Sequence, residues 1–194
     1  MTRKIILASN NPGKLKEFGE ILIPVGFDLH PQSVYKVPEA DESHGTFIEN
    51  ALTKARHAAR LTGLPALADD SGICANALGG APGVWSARYA GGAKSDARNN
   101  QKLVDELAAQ HDRSAYYYCV LVLLRHAEDP QPVIAEGRWD GEIIAVARGE
   151  GGFGYDPHFW LASLNKTAAE LSPADKNRLS HRGQALRALI AKLR

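Results

Sequence analysis

The chain has 194 residues, of which 44% are hydrophobic and 23% are charged, as in an ordinary globular protein. Its 23 basic and 22 acidic residues give a formal net charge of +1. Proteins that bind a nucleic-acid polymer carry a clear excess of basic residues, which this sequence lacks, so we expect no nucleic-acid partner. We therefore expect a single domain, residues 1–194, whose local basic residues could hold one small anion.

Targeting and redox signals in the sequence are few. The apolar run near the N-terminus ends at Asn10-Asn11-Pro12 and is too short for a signal peptide. No segment approaches the roughly 20 apolar residues of a membrane span, so we expect no membrane partner. Cys74 and Cys119 form no CxxC or metal-ligand spacing, which is typical of buried thiols in a reducing compartment. These observations favour a cytoplasmic protein.

Strands and helices alternate in the first part of the chain. Thr46 and Glu49 have the spacing of a capping box, which predicts a helix from Phe47 to about Thr62 that Gly63 ends. The apolar spacing before it predicts a strand at 4–8, a helix at 15–22, a strand at 27–30 and an acidic loop at 37–45.

Strands cluster in the second part. The segment 115–126 is apolar on both faces and is expected to be central in the sheet. A turn at Trp139-Asp140-Gly141 is expected to join two antiparallel strands, 132–138 and 142–147. Helices are predicted at 96–110, from Ser172-Pro173, and from Ser180 with a stripe of Leu186, Leu189, Ile190 and Leu193. This order predicts an α/β fold with a mixed, twisted central sheet flanked by helices.

Two adjacent carboxylates, Asp69 and Asp70, follow the apolar segment 65–68 and precede Ser71-Gly72. This order predicts a buried strand that ends in a turn at the two acids. Because neighbouring residues of an extended chain point to opposite faces, we expect one carboxylate to face a site and the other to brace the turn or a neighbouring base. An Asx-turn or a helix N-cap explains the same residues, and the segment alone leaves both interpretations open.

The segment Ser9-Asn10-Asn11-Pro12-Gly13-Lys14 joins the first predicted strand to the first helix. Backbone N–H groups and the dipole at a helix start, together with the charge of Lys14, suit a phosphate group. The segment is not a Walker A loop, because the first glycine is missing and Leu15 stands where Ser or Thr would bind magnesium. A plain strand-to-helix turn is the alternative.

The glycine-rich segment 149–154 formally matches GxGxxG. We reject a dinucleotide-binding fold, because Tyr155-Asp156-Pro157 cannot open the helix that this fold requires. A loop that contains Phe153 suits a flat base stacked on its ring, although a tight turn with a core aromatic is the alternative. Lys176 and the basic segment 180–183 could bind substrate or could simply be solvated.

The acidic loop carries Glu39, Asp41 and Glu42. If it lies near Asp70, two converging carboxylates and a triphosphate could hold a magnesium ion, which prefers oxygen ligands. The sequence offers no His/Cys cluster for a zinc site.

Six motifs, in chain order, together resemble one family over nearly the whole sequence. They are 9–14, 46–51 with Lys54, 68–72, 78–83 with 86–89, 151–157 and 180–183. The family they resemble is that of the inosine/xanthosine triphosphate pyrophosphatases. The resemblance implies a homodimeric, Mg²⁺-dependent enzyme with an elongated, two-lobed fold and the substrate in a cleft between the lobes. It also implies hydrolysis of ITP, dITP and XTP to the monophosphate plus pyrophosphate, which clears non-standard purine nucleotides from the pool.

The resemblance further implies roles for individual residues. Asp70 would be the catalytic acidic residue and a metal ligand with Glu42, which we favour over Asp41. Lys54 would neutralise phosphate oxygens with Lys14, and Asp69 would support either Lys54 or its own turn. The residues expected to bind the triphosphate are Ser9, Asn10, Asn11, Pro12, Gly13 and Lys14, with Ser71 also touching the substrate. Those expected at the nucleoside end are Phe153, Gly154, Tyr155, Asp156, Lys176, His181 and Arg182.

We expect water to attack the α-phosphorus. A free aspartate has a pKa of about 3.9, so Asp70 would act mainly by holding magnesium and orienting water, with proton acceptance as a second role. Donors such as Lys176 or Arg182 would favour a 6-oxo purine over adenine, which leaves the rejection of guanine unexplained. The alternatives are a pyrophosphatase for pyrimidine or other modified nucleotides and a non-catalytic nucleotide-binding module.

Overall fold

The computed structural model describes residues 3–193. Among these residues the helices are α1 (Pro12–Leu22), α2 (Phe47–Thr62), α3 (Asp96–Leu107), α4 (Pro173–Leu179) and α5 (His181–Lys192). The strands are β1 (Arg3–Leu7), β2 (Phe27–Pro31), β3 (Ala66–Ala75), β4 (Ser114–Leu124), β5 (Val133–Ile143), β6 (Phe159–Leu161) and β7 (Lys166–Thr167). No helix in this range is long and apolar enough to span a membrane.

All seven strands belong to one mixed sheet, in the order β2-β1-β3-β4-β5-β6-β7. Strand β1 runs parallel to both neighbours, with Ile6 opposite His30 of β2 and Ala66 of β3. At the other edge β5, β6 and β7 pair antiparallel, and Ile143 lies opposite Phe159. The prediction of an α/β fold with a mixed sheet is confirmed, and so is the central place of the strand over 115–126.

The chain divides into two compact units, each with its own hydrophobic core. Within the described residues, unit 1 comprises 3–70, 119–137 and 182–193, and unit 2 comprises 71–118 and 138–181. Strands β3, β4 and β5 therefore each contribute residues to both units.

The core of unit 1 is mainly aliphatic. Phe18 and Leu22, one helical turn apart on α1, are fully buried with Leu7 of β1. The predicted stripe of α5 is also part of this core, with Leu186 and Leu189 buried. The helix α2 buries a row of alanines, so its backbone can lie close to the rest of unit 1.

The core of unit 2 is aromatic. The Tyr117 ring lies 4.7 Å from that of Phe159, which in turn lies 5.3 Å from that of Trp139. Leu103 and Leu107 of α3 complete the cluster, as their helical spacing predicts.

Two predicted turns are wrong, because both segments are strand. Strand β3 does not end at Asp69 but continues through Asp70 and Gly72 to Ala75. Strand β5 passes straight through Trp139-Asp140-Gly141, so the two strands predicted there are one. A Cβ on Gly141 would lie 2.6 Å from the Trp160 carbonyl oxygen, so the glycine permits close packing in the sheet rather than a turn.

The start of α2 is correctly predicted, but half of its capping box differs. The Thr46 hydroxyl accepts the Glu49 N–H at 3.3 Å, and Gly63 ends the helix in a left-handed conformation. The Glu49 carboxylate, however, accepts the Thr46 hydroxyl at 2.5 Å and not the Thr46 backbone N–H. This hydrogen bond between the two side chains takes the place of the one that a capping box has between the Thr46 backbone N–H and the Glu49 carboxylate.

Candidate functional site

Asp69 and Asp70 are both buried, and each holds a different lysine of unit 1. Because β3 continues through them, their side chains leave opposite faces of the strand. Asp69 Oδ2 lies 2.8 Å from Lys14 Nζ, and Asp70 Oδ1 lies 3.1 Å from Lys54 Nζ. The pair therefore consists of two separate carboxylates with separate partners.

The Asp70 carboxylate combines burial with a dense set of charges. Its second oxygen accepts a hydrogen bond from Asn50 Nδ2 at 3.2 Å. Burial raises its pKa above the usual aspartate range, and the charges of Glu42 and Asp69 add to this rise against the opposing effect of Lys54. A carboxylate with a raised pKa is a better proton acceptor near neutral pH than a free aspartate.

The Asp69 carboxylate is in the opposite electrostatic state. Burial alone would raise its pKa, but the nearby charges of Lys14, Arg182 and Lys54 lower it well below the usual range. The Arg182 guanidinium lies 3.8 Å from Asp69 Oδ2 and also forms an ion pair with Glu17. Asp69 is therefore a fixed negative charge that positions Lys14. The nearest cation to Asp69 is Lys14 and not Lys54.

The loop before α2 brings a third carboxylate to Lys54. Glu42 Oε2 lies 3.2 Å from Lys54 Nζ, while the Glu42 side chain stays 45% exposed. Asn50 fixes this loop, because its Oδ1 accepts the His44 N–H at 3.1 Å and its Nδ2 donates to the His44 carbonyl at 3.3 Å. One asparagine thus connects the acidic loop to Asp70.

The predicted phosphate loop forms the start of α1. Asn11 caps the helix, and its Oδ1 accepts the N–H groups of Gly13 at 2.9 Å and Lys14 at 3.3 Å. Ser9 Oγ in turn accepts the Asn11 N–H at 3.2 Å. Because these N–H groups are already hydrogen-bonded, the Lys14 ammonium is the main feature of this loop that can attract an anion.

The donor set around Lys54 fits a hard divalent cation. The carboxylates of Asp70 and Glu42 approach the same ammonium group, so their oxygens converge on one point. Oxygen donors of this kind are those that Mg²⁺ prefers. Among residues 3–193 there is no cluster of three His, Cys, Asp or Glu side chains that could hold a metal by themselves. Water and substrate oxygens would have to supply the other ligands.

In unit 2 a buried carboxylate, Asp156, organises the glycine-rich loop. Its Oδ2 accepts Lys176 Nζ at 2.6 Å and the Phe153 N–H at 2.9 Å, and its Oδ1 accepts the Tyr117 hydroxyl at 3.1 Å. A Cβ on Gly152 would lie 2.0 Å from Asp156 Oδ2, so only glycine fits at that position. The loop is thus built around the acid.

Phe153 and His181 present rings beside this carboxylate. Phe153 is 36% exposed, and Lys176 Nζ lies 4.4 Å from its ring centroid. His181 is buried and stacks on Tyr117, with ring centroids 4.6 Å apart and an interplanar angle of 7°. Phe153 is therefore the ring of this cluster that offers a face to a ligand.

Contacts with the rest of unit 2 hold the remaining loop residues in place. The Gly154 N–H donates to Asp96 Oδ2 at 2.8 Å, and its carbonyl accepts Asn100 Nδ2 at 2.8 Å. The buried Tyr155 donates its hydroxyl to the Ser86 carbonyl at 2.7 Å. Gly154 and Tyr155 are accordingly fixed elements of the loop.

Comparisons with known proteins decide the family. Residues 5–192 match the sequence model of the Ham1 family. The chain belongs to the Ham1 family. The dITP/XTP pyrophosphatase of Ralstonia nicotianae is 67% identical over 195 residues, which cover 99% of this chain and 97% of that protein. The one from Chromobacterium violaceum is 63% identical over 194 residues, which cover 100% and 98%. The structure of a HAM1 protein from Coxiella burnetii is similar with a TM-score of 0.93, at 50% identity and with 99% and 98% covered.

The site residues predicted in this Ham1 chain lie in both units. Unit 1 contains residues 9–14, Glu42, Lys54, Asp69 and Asp70, and unit 2 contains Ser71, residues 153–156, Lys176 and His181. Arg182, which was expected at the nucleoside end with Lys176 and His181, belongs to unit 1 and is buried against Asp69 and Glu17. The expected role of Arg182 at the nucleoside end stays a prediction.

Three residues that contact the predicted site residues of this Ham1 chain were not predicted: Asn50, Glu17 and Tyr117. Asn50 follows the capping box by one residue and precedes Lys54 by one helical turn, and this spacing of two polar residues was the signal available in the sequence. Glu17 faces Arg182 from a point 165 residues away in the chain, which no local pattern reveals. Tyr117 lies in a strand that is apolar apart from its hydroxyl groups, so its hydrogen bond to Asp156 has no counterpart in the sequence pattern.

Proposed function

We propose that this chain hydrolyses non-standard purine nucleoside triphosphates, dITP and XTP among them, to the monophosphate and pyrophosphate. The names of the relatives that match over nearly the full length, dITP/XTP pyrophosphatase, support the substrate class. The observation that carries the chemistry is the buried Asp70 carboxylate, which has a raised pKa and lies between Lys54 and Asn50. A nucleotide-binding module has no need of such a group.

In the proposed reaction, water attacks the α-phosphorus. The bond between that phosphorus and the oxygen that bridges it to the β-phosphorus breaks. Asp70 orients the water and accepts its proton, for which its raised pKa is suited. Lys54 stays protonated because the surrounding carboxylates outweigh the effect of burial on its pKa, so it can stabilise charge on the phosphate oxygens. Lys14, held by Asp69, adds a second fixed charge for the triphosphate.

We propose Mg²⁺ as the cofactor, held by Asp70 and Glu42. When bound, the ion would neutralise phosphate charge and lower the pKa of a coordinated water. The two carboxylates already converge on Lys54, so a cation and the lysine would share the same negative charges. Asn50 supports both ligands through its contacts with His44 and Asp70.

We propose that the Asp156 cluster of unit 2 binds the base. The half-exposed Phe153 ring offers a stacking face, and Lys176 beside it offers a donor to a 6-oxo group. A base that presents a donor in place of this acceptor would leave a polar group unpaired, at a cost of about 1–3 kcal/mol. Ser71, His181 and Arg182 are proposed to contact the substrate as well, while Gly154, Tyr155 and Asp156 shape the loop.

We further propose a cytoplasmic homodimer. Two free buried cysteines, Cys74 and Cys119, are consistent with a reducing compartment. The dimer rests on the family resemblance, and light scattering coupled to size-exclusion chromatography tests it directly.

The test of the proposed function is the product released from dITP and XTP in the presence of Mg²⁺. We expect pyrophosphate and the monophosphate in equal amounts, with little orthophosphate. Asp70→Asn should abolish turnover while leaving dIMP binding within about tenfold, because the Asp70 carboxylate acts in the reaction rather than in holding the base. Orthophosphate as the first product, near-normal turnover of Asp70→Asn, or a preference for pyrimidine nucleotides would overturn the proposal.

A further inference from the structure

Tyr117 occupies a position that links most of the residues around Asp156. It lies in β4 within unit 2 and is almost completely buried. Its hydroxyl donates to Asp156 Oδ1 at 3.1 Å, and its ring stacks in parallel on His181 with centroids 4.6 Å apart.

We propose that Tyr117 is the positioning residue for base recognition, acting through Asp156 on Lys176 and Phe153 and directly on the plane of His181. This inference rests on the proposed function and deepens it. Tyr117 itself is not proposed to touch the substrate.

The hydroxyl acts through the orientation of the Asp156 carboxylate. Tyr117 satisfies Oδ1, which leaves Oδ2 to accept both Lys176 Nζ at 2.6 Å and the Phe153 N–H at 2.9 Å. A carboxylate held at one oxygen has its plane fixed, so both groups that depend on the other oxygen are fixed with it. Burial and the adjacent Asp156 charge raise the pKa of Tyr117 well above its usual value, so the hydroxyl remains a donor over the working pH range.

The ring acts on His181. An interplanar angle of 7° restricts the imidazole to one plane, and Phe159, 4.7 Å from Tyr117 at an angle of 59°, holds the tyrosine ring from the core. Two independent contacts of one side chain therefore position three groups that are proposed to meet the base, Lys176 and Phe153 through Asp156 and His181 directly.

Tyr117→Phe separates these two effects, because it removes the hydroxyl and keeps the ring. Tyr116→Phe is the matched control, since the same atom is removed from the preceding residue of the strand. The ring centroid of Tyr116 instead lies 3.6 Å from Arg138 Cζ. We expect Tyr117→Phe to weaken dIMP binding, measured by calorimetry, about tenfold, as for one hydrogen bond to a charged group. The affinity for inorganic tripolyphosphate, which has no base, should stay within about twofold.

Steady-state kinetics with dITP supply the second readout. We expect Tyr117→Phe to raise KM about tenfold and leave kcat within about threefold, since the reacting groups lie elsewhere. In an Asp156→Asn background Tyr117→Phe should cause little further loss, because the hydroxyl acts through that carboxylate. Tyr117→Leu, which also removes the ring, should weaken dIMP binding further, and circular dichroism identifies any variant that fails to fold.

Equal dIMP affinity in wild type and Tyr117→Phe would overturn the role of Tyr117, as would an equal loss of tripolyphosphate binding or an equal effect of Tyr116→Phe. A wild type that binds no dIMP would overturn it too. A wild type that binds dIMP but releases no pyrophosphate from dITP would contradict the proposed reaction and leave the binding test of Tyr117 intact.

Discussion

The same substitution at two adjacent residues should have very different consequences for stability. Asp69 is 1% exposed, contacts Lys14 at 2.8 Å and lies 3.8 Å from the buried Arg182. Removing one partner of a buried ion pair typically costs about 3–5 kcal/mol. Lys14 can turn toward water and Arg182 keeps Glu17, so we expect Asp69→Asn to lower the free energy of unfolding by about 3 kcal/mol, at the lower end of that range.

Asp70→Asn should change the free energy of unfolding by less than about 1 kcal/mol. The raised pKa of Asp70 means that its charged form is already disfavoured in the folded state, mainly by burial. An asparagine removes that penalty but leaves either Lys54 or Asn50 without its acceptor, and the two effects oppose each other. Activity should respond in the reverse order, with Asp70→Asn abolishing turnover and Asp69→Asn mainly raising KM by misplacing Lys14.

The pH dependence gives the two residues opposite signs. The folded pKa of Asp69 is depressed, so its stabilisation is fully present above the unfolded pKa of about 3.9 and is lost as pH falls through the folded pKa. The deficit of Asp69→Asn should therefore be equal at about pH 5 and pH 7 and shrink below about pH 4. The folded pKa of Asp70 is raised, so the stability of wild type relative to Asp70→Asn should increase as pH falls through that pKa.

Urea unfolding monitored by circular dichroism measures all three proteins, with Asp140→Asn as the control. Asp140 also pairs with an arginine, Arg138, at 2.8 Å, but its side chain is 70% exposed, so its loss should cost no more than about 1 kcal/mol. Equal destabilisation by Asp69→Asn and Asp70→Asn, or no greater loss for Asp69→Asn than for Asp140→Asn, would refute the assignment of Asp69 as the structural acid.

Two further predictions concern the metal and the sheet. Glu42→Gln should raise the Mg²⁺ concentration that gives half-maximal activity, and weaken Mn²⁺ binding measured by electron paramagnetic resonance, each by about tenfold. Asp41→Asn, one residue away in the same loop, should leave both unchanged, and an equal effect of the two would contradict the choice of Glu42. Gly141→Ala should lower the free energy of unfolding by about 2 kcal/mol, because the new methyl group would meet the Trp160 carbonyl and the Phe159 ring. Gly45→Ala, where a Cβ meets nothing within 4 Å, should cost less than about 0.5 kcal/mol, and a similar loss in both would show that close packing is not the reason for the glycine.

Local patterns predicted the elements well where one physical signal dominated. The apolar stripe of α5 and the apolar residues on both faces of β4 predict that these elements are buried in a core. In the structure both elements contribute buried residues to the core of unit 1. The Trp139-Asp140-Gly141 segment carried two signals, since glycine serves both turns and close packing. The sequence alone cannot choose between them, because the Phe159 ring that requires the glycine comes from a strand that follows 18 residues later.

The site was predictable in its residue types more than in its pairings. The alternation of side chains along a strand correctly predicts that Asp69 and Asp70 point to opposite faces. The alternation holds at both residues because β3 continues through them and does not end there. The choice of Lys14 as the partner of Asp69 depends on the position of α1, and the place of Arg182 depends on Glu17. Both contacts join residues that are far apart in the chain, so no local pattern in the sequence predicts them.

A common electrostatic device operates in both units. In each, a buried carboxylate holds a lysine ammonium that remains close to a surface: Asp69 with Lys14, Asp70 with Lys54, and Asp156 with Lys176. An isolated lysine would keep its charge but lose its position, and a buried one without a carboxylate would lose its charge. Each carboxylate–lysine pair fixes both the charge and the position of the lysine, and the free-energy cost is the burial of a carboxylate. Asp70 differs from Asp69 in also contacting an exposed acidic loop through Lys54, and burial raises its pKa whereas nearby positive charges lower that of Asp69. We therefore propose Asp70 as the acid that takes part in the reaction and Asp69 as the acid that positions Lys14.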